Sequence, residues 1–273
     1  MLKLLKIAHL LSLDVVFGAM VCNIMFWKLS LSNAQIPISI ILILGFSVWI
    51  IYILDRLLDN QKPSQVETER HFFHQKHRKV LTICLFISIV FCAILLFYLP
   101  YNILILGILT TAITTIYLYL TNRFSAENHF QHYKEPITAT VYTMGVFSTT
   151  VLNDFSMPSL FVGILFLLIT FQNLLLFSLS ELKKNPECHN LASYWGTKNS
   201  HKIIILISVV VMSIGFYWMK TNGLAYFSKV FFIEILMSFI LLIISLFNNI
   251  FLTNDRYRWV GDGIFLLPLF IIF

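Results

Sequence analysis

The chain reads as an all-α, polytopic membrane bundle of about nine transmembrane helices, and three observations predict it. Of its 273 residues 58% are apolar and only 12% charged, where a soluble domain carries about a quarter charged residues. The charges gather in short polar stretches between apolar runs of roughly the twenty residues a helix needs to cross hydrocarbon. The basic residues also fall unevenly on the two sides that such runs define. A single transmembrane domain over 1–273 accounts for the whole length.

Apolar stretches near 7–27, 36–58, 80–99, 103–121, 136–153, 159–180, 203–219, 229–252 and 258–273 supply the nine spans, allowing for tilt. Met1-Leu-Lys-Leu-Leu-Lys opens like a signal peptide, but the apolar run continues to Trp27 without a small-residue cleavage site, so it is read as a retained first span. Tight turns are expected around Ser30–Asn33, Leu99–Asn102 and Asn153–Pro158. Cys22, Cys84, Cys92 and Cys188 contain no Cys-x-x-Cys pair, and neither a disulfide framework nor a zinc knuckle follows from them.

With nine spans, sixteen of the 19 lysines and arginines lie on the side of the N-terminus, and only Lys28, Lys220 and Lys229 lie opposite. That asymmetry predicts a cytoplasmic N-terminus and an outer C-terminus in a bacterial inner membrane. The net charge of +6 is then chiefly a topology signal, with attraction for anionic lipid head groups second, and no nucleic-acid partner is expected. Seven of the eight histidines fall in the same cytoplasmic loops, and His9 enters the first span from that side. The two longest loops, 59–79 and 181–202, are therefore expected to cap a cavity on the cytoplasmic face.

Three polar constellations can carry chemistry. Asp55 and Asp59 stand at i and i+4 on one helix face, so they repel unless a cation lies between them. Mg²⁺ is one answer, since it takes one or two carboxylates and bridges to phosphates. Neutralisation by Arg56 and Lys62 is the other. In the following stretch Arg70, His74, His77 and Arg78 share a helical face and Lys76 adds charge, which suits a phosphate or a lipid head group. A metal held by His71, His74 and His77 is a lesser alternative, because their fan is wide for one ion. After span six Glu181, Lys183 and Glu187 repeat the mixture, with Pro186 breaking the helix; a solvated charged loop is the competing reading.

Inside the spans, Asp14 is placed to face a cytoplasmic cavity near His9 and Lys6, and Asp262 to pair with Arg258 four residues earlier. Glu234 is expected to reach outward, and Gln172 and Asn173 to line a pocket or bond between helices.

Span number and the placing of carboxylates after spans two and six resemble the UbiA superfamily of intramembrane prenyltransferases. Its first motif, Asn-Asp-x-x-Asp-x-x-x-Asp, aligns to Ile51-Tyr-Ile-Leu-Asp55-Arg-Leu-Leu-Asp59, where the two later aspartates match and the leading Asn-Asp pair is absent. Its Asp-x-x-x-Asp motif falls at Glu181 and Glu187, six apart, and Leu191-Ala-Ser-Tyr-Trp-Gly196 is similar to the Leu-x-x-x-x-Gly that follows it. The resemblance implies Mg²⁺ on Asp55, Asp59, Glu181 and Glu187, and an isoprenoid diphosphate as donor. It implies catalytic roles for Asp55, Asp59 and Arg70 and substrate contacts for His74, Lys76, Arg78, Asn173 and Lys183. The acceptor is left open. The alternative is a non-catalytic membrane protein: a proton-coupled small-molecule transporter using Asp14, Asp55 and the histidines, or an isoprenoid- or lipid-binding protein. A histidine-ligated iron oxygenase would need more compact histidine boxes than His71–His77 and His129-x-x-His132.

Overall fold

The computed structural model describes residues 2–30, 35–59, 69–123, 132–153 and 156–272. All elements described are helical: α1 (Leu2–Leu10), α2 (Leu13–Ser30), α3 (Ile38–Asp59), α4 (Glu69–Lys76), α5 (Arg78–Leu96), α6 (Tyr101–Arg123), α7 (Lys134–Asn153), α8 (Met157–Lys184), α9 (Leu191–Trp195), α10 (Thr197–Thr221), α11 (Ala225–Leu246), α12 (Asn248–Phe251), α13 (Arg256–Gly263) and α14 (Leu269–Ile272). Among the described residues, seven helices are long and apolar enough to cross a membrane: α2, α3, α5, α6, α8, α10 and α11. The chain is thus an all-α bundle with the helices of a membrane protein.

Burial divides the bundle by role. The core is built on α2, α8 and α11, whose side chains such as Phe26, Phe166, Leu176 and Phe231 are fully buried. In contrast, α5 buries only Leu81, Leu85 and Ser88 and turns Phe86, Ile87 and Val90 outward. Apolar side chains exposed in such numbers along a helix have lipid as their solvent. Sparse polar contacts tie the core helices together. Gln172 of α8 donates to Ser208 Oγ of α10 (2.8 Å) and accepts from Ser238 Oγ of α11 (2.7 Å). Asn23 of α2 donates to the Val146 carbonyl of α7 (2.8 Å). Bonds of this kind each contribute about 0.6–2 kcal/mol where no water competes.

Two spans differ from their sequence reading. The run expected as one first span breaks between α1 and α2, where Ser12 takes φ +55°. The expected last span is α13, a 3₁₀ turn over Ile264–Leu266, and α14, its helix interrupted just before Pro268, which has no N–H to give. That segment starts beside α8, where Arg258 meets Glu181, and ends beside α2, where Lys28 Nζ donates to the Ile272 carbonyl (2.7 Å). The loop expected over 181–202 is largely ordered as helix, with α9 and the first turns of α10 inside it.

Candidate functional site

The charged ends of the helices meet at one end of the bundle, and the break at Ser12 organises them. In a continuous helix residues five apart face away from each other. The left-handed Ser12 turns the chain so that His9 of α1 and Asp14 of α2 meet through Nδ1 and Oδ2. A non-glycine residue held at positive φ costs of order 1–3 kcal/mol and persists only where its surroundings determine it. Here the compensation is a buried contact. The imidazole of His9 stacks on Trp259 of α13, centroids 4.4 Å apart, and Arg70 Nη2 of α4 reaches Nε2 at 3.4 Å. Because a guanidinium only donates, a bond from Arg70 makes Nε2 the acceptor and leaves Nδ1 to donate to Asp14.

Asp262 of α13 completes the cluster: one ligand-type atom each from His9, Asp14 and Asp262 lie within 4.8 Å of one another. Asp262 is buried and makes no hydrogen bond or ion pair among the described residues. It opens onto a narrow cavity, also lined by Tyr52, Tyr142, Asn173 and Phe265, whose roughly 20 Å³ holds about one water molecule. Asn173 Oδ1 and the Tyr142 hydroxyl there have no hydrogen-bond partner among the described residues. Aromatic rings wall this cavity, with Tyr142 and Phe265 centroids 5.6 Å apart and Phe166 5.8 Å from Phe265.

Cations surround the acids. Burial first, and the Arg56 charge second, lower the pKa of Arg70 from its ordinary value, while Asp262 and Asp14 oppose the shift. Arg56 Nε of α3 is buried without a hydrogen-bond partner. Two guanidinium charges that act on each other in a partly desolvated place favour anions beside them, and Asp262 and Asp14 supply that charge.

The residues expected from the sequence divide between this cluster and its surroundings. Arg70 belongs to it, and Asn173 lines its cavity. His74 is fully buried and bonds through Nδ1 to the Arg70 carbonyl (2.8 Å), which makes it a brace for α4. Lys76, Arg78 and Lys183 are exposed. Asp55 lies 3.6 Å from Lys134 of α7, and Glu181 pairs with Arg258 of α13. Glu187 is exposed in a separate surface pocket with His132, Cys188 and His189. The side chain of Asp59 lies outside the described residues, as do those of Lys62 and His71.

Two intramembrane expectations are corrected. Arg258 gives its ion pair to Glu181, not to Asp262, because α13 turns that side chain toward the end of α8. Glu234 does not reach outward: it is 0% exposed in the core of α11, with neither carboxylate oxygen hydrogen-bonded among the described residues. The nearness of Asp14 to His9 was read in the sequence; that Asp262 joins them was not, because it lies far along the chain from both.

The fold and the cluster define a class: a helical membrane protein with a charged, partly buried site at one end of its bundle. No protein-family model, no curated protein and no solved structure matches the chain.

Proposed function

We propose that this chain is a UbiA-like intramembrane prenyltransferase that takes an isoprenoid from an allylic diphosphate to a small or lipid acceptor. The observation that carries this reading is that Arg56 and Arg70 both act by charge on Tyr52, which lines a cavity also walled by Tyr142 and Phe265. The arginines suit a diphosphate leaving group, for which guanidinium forks are the best protein donors. The rings behind them suit the allylic cation that departure generates, since an aromatic face stabilises a cation by about 0.5–2 kcal/mol. Room for one water is too little for a prenyl chain, so binding requires the wall to yield. The α13 segment is the element to do so, because Asn254 and Asp255 before it both stand at φ +54° and Pro268 interrupts it below.

The resemblance also implies Mg²⁺. Oxygen donors are right for that ion, but Asp55 and Glu181 already face Lys134 and Arg258, so both ion pairs would have to open first. Those acids do not fit the metal as folded. In this reading the chain makes nine crossings of a bacterial inner membrane. The N-terminus and the charged site are cytoplasmic, and α7 and the α13–α14 segment serve as the two spans beyond the seven strongly apolar ones.

The test is binding of farnesyl diphosphate, against farnesol, to the protein in lipid nanodiscs. Farnesyl diphosphate should bind and release pyrophosphate when acceptors are supplied. Arg70→Gln should weaken binding about ten- to a hundredfold, roughly 1.5–3 kcal/mol for a charge-assisted contact, and farnesol should be indifferent to it. Equal binding of diphosphate and alcohol, or no effect of Arg70→Gln, overturns the reading and favours a lipid-binding or transport role.

A further inference from the structure

Asp262, buried beside His9 and Asp14, is not among the acids that the resemblance selects. We propose that His9, Asp14 and Asp262 form a binding site for a divalent transition-metal cation of the Mn²⁺ or Zn²⁺ kind. The proposal does not rest on the prenyltransferase reading.

Three elements, α1, α2 and α13, bring one imidazole and two carboxylates together with their donor atoms within 4.8 Å of one another. Ligands on one such ion sit about 2.0–2.2 Å from it, so neighbouring ligands are about 3–3.6 Å apart. The outermost pair of the cluster needs to close by about 1–2 Å, which side-chain rotation can supply. Mixed nitrogen and oxygen donors favour Mn²⁺ or Zn²⁺ over the all-oxygen preference of Mg²⁺ or Ca²⁺.

The second observation is the state of Asp262. It is 6% exposed, and among the described residues neither a hydrogen bond nor an ion pair reaches it. A carboxylate buried without a partner, beside a second carboxylate, is costly unless a cation joins them. Arg70 and Arg258 lend Asp262 their charge from nearby but do not pair with it directly among the described residues: Arg258 is held by Glu181, and Arg70 contacts His9. His9 is held in place by the Trp259 ring beneath it. An ion replacing the proton between Nδ1 and Asp14 would turn Nε2 into a donor. Arg70 would then leave His9 and become available to an anion.

The experiment is a Mn²⁺ titration of the full chain in lipid nanodiscs, without any diphosphate, followed by electron paramagnetic resonance. The expected result is one tightly held Mn²⁺ per chain, with a nitrogen coupling from a directly bound imidazole. His9→Gln should abolish that coupling, Asp262→Asn should weaken binding about tenfold or more, and Asp55→Asn should leave it unchanged. The coupling is read on the unaltered protein, so the test stands even if a variant fails to fold. No tightly held Mn²⁺, a bound ion without nitrogen coupling, or loss with Asp55→Asn in place of Asp262→Asn overturns the proposal. Farnesyl diphosphate binding measured separately decides the prenyltransferase reading, so either conclusion can fail alone.

Discussion

Lys134 stands 3.6 Å from Asp55, with 35% and 22% of the two side chains open to solvent. A half-exposed pair of this kind is worth about 0.2–1 kcal/mol. Asp55→Asn is therefore expected to lower the unfolding free energy by no more than about 1 kcal/mol, read from thermal melts in nanodiscs. A larger loss would mean that Asp55 braces α3 against α7. The i, i+4 spacing of Asp55 and Asp59 was legible in the sequence, but the partner was not, because Lys134 lies on another helix far along the chain. The same holds for Glu181, whose partner Arg258 is 77 residues away. Asp262 shows the converse error: a helical neighbour four residues back was a reasonable partner, and a closer packing contact on α8 took that guanidinium instead. Local spacing predicts which residues share a face, and it does not predict what that face meets.

At the scale of elements, hydropathy located α3, α5, α6, α8 and α11 to within a few residues, because about twenty apolar residues in lipid have little choice but a helix. Breaks were harder. The one at Ser12 carries no glycine or proline, and it is stabilised by the His9–Asp14 contact that it creates. The one in the C-terminal segment depends on close packing against α2. A Cβ on Gly18 would lie 2.8 Å from Phe265 Cβ, an atom too near its own backbone to swing aside, whereas nothing lies within 4 Å of a Cβ on Gly107. Glycine to alanine in an exposed helix interior gains up to about 1 kcal/mol, while overpacking costs about 1–3 kcal/mol. The two substitutions should thus differ in sign: Gly107→Ala neutral or stabilising, Gly18→Ala destabilising by about 1–2 kcal/mol once helix propensity is deducted. Parallel thermal melts check this. Equal behaviour of the two variants would mean that the Phe265 turn is not seated on α2.

At the scale of the whole molecule, the charge pattern and the packing can be set against each other because they are independent. Counted over the nine expected spans, the charge pattern would put sixteen of the 19 lysines and arginines on one side. Packing gathers the same chain regions at one end of the bundle: Arg70 with His9, Lys134 with Asp55, Lys184 with Asp255 and Arg258 with Glu181. At the other end Ser39 Oγ donates to the Tyr98 carbonyl, Tyr226 to the Met25 carbonyl and Lys28 to the Ile272 carbonyl. The C-terminal segment leaves the first group of contacts at Arg258 and arrives at the second at Ile272, although no single helix in it is long enough to span. Short helical pieces at membrane depth are tolerated where protein buries them, and Ile264 and Phe265 at the junction are buried. A reporter fused after Phe273 should accordingly lie outside the cytoplasm, and reporters inserted in 60–78 or 183–200 should lie inside, since positive loops resist translocation. Cysteine accessibility to a membrane-impermeant reagent, scored at the same positions, gives the same readout without a fusion. A cytoplasmic C-terminus would mean that the segment enters and leaves on one face. The contact of Lys28 with Ile272 would then be the first to discard, and the partnership of Asp262 with His9 and Asp14 would have to be sought in a re-entrant geometry.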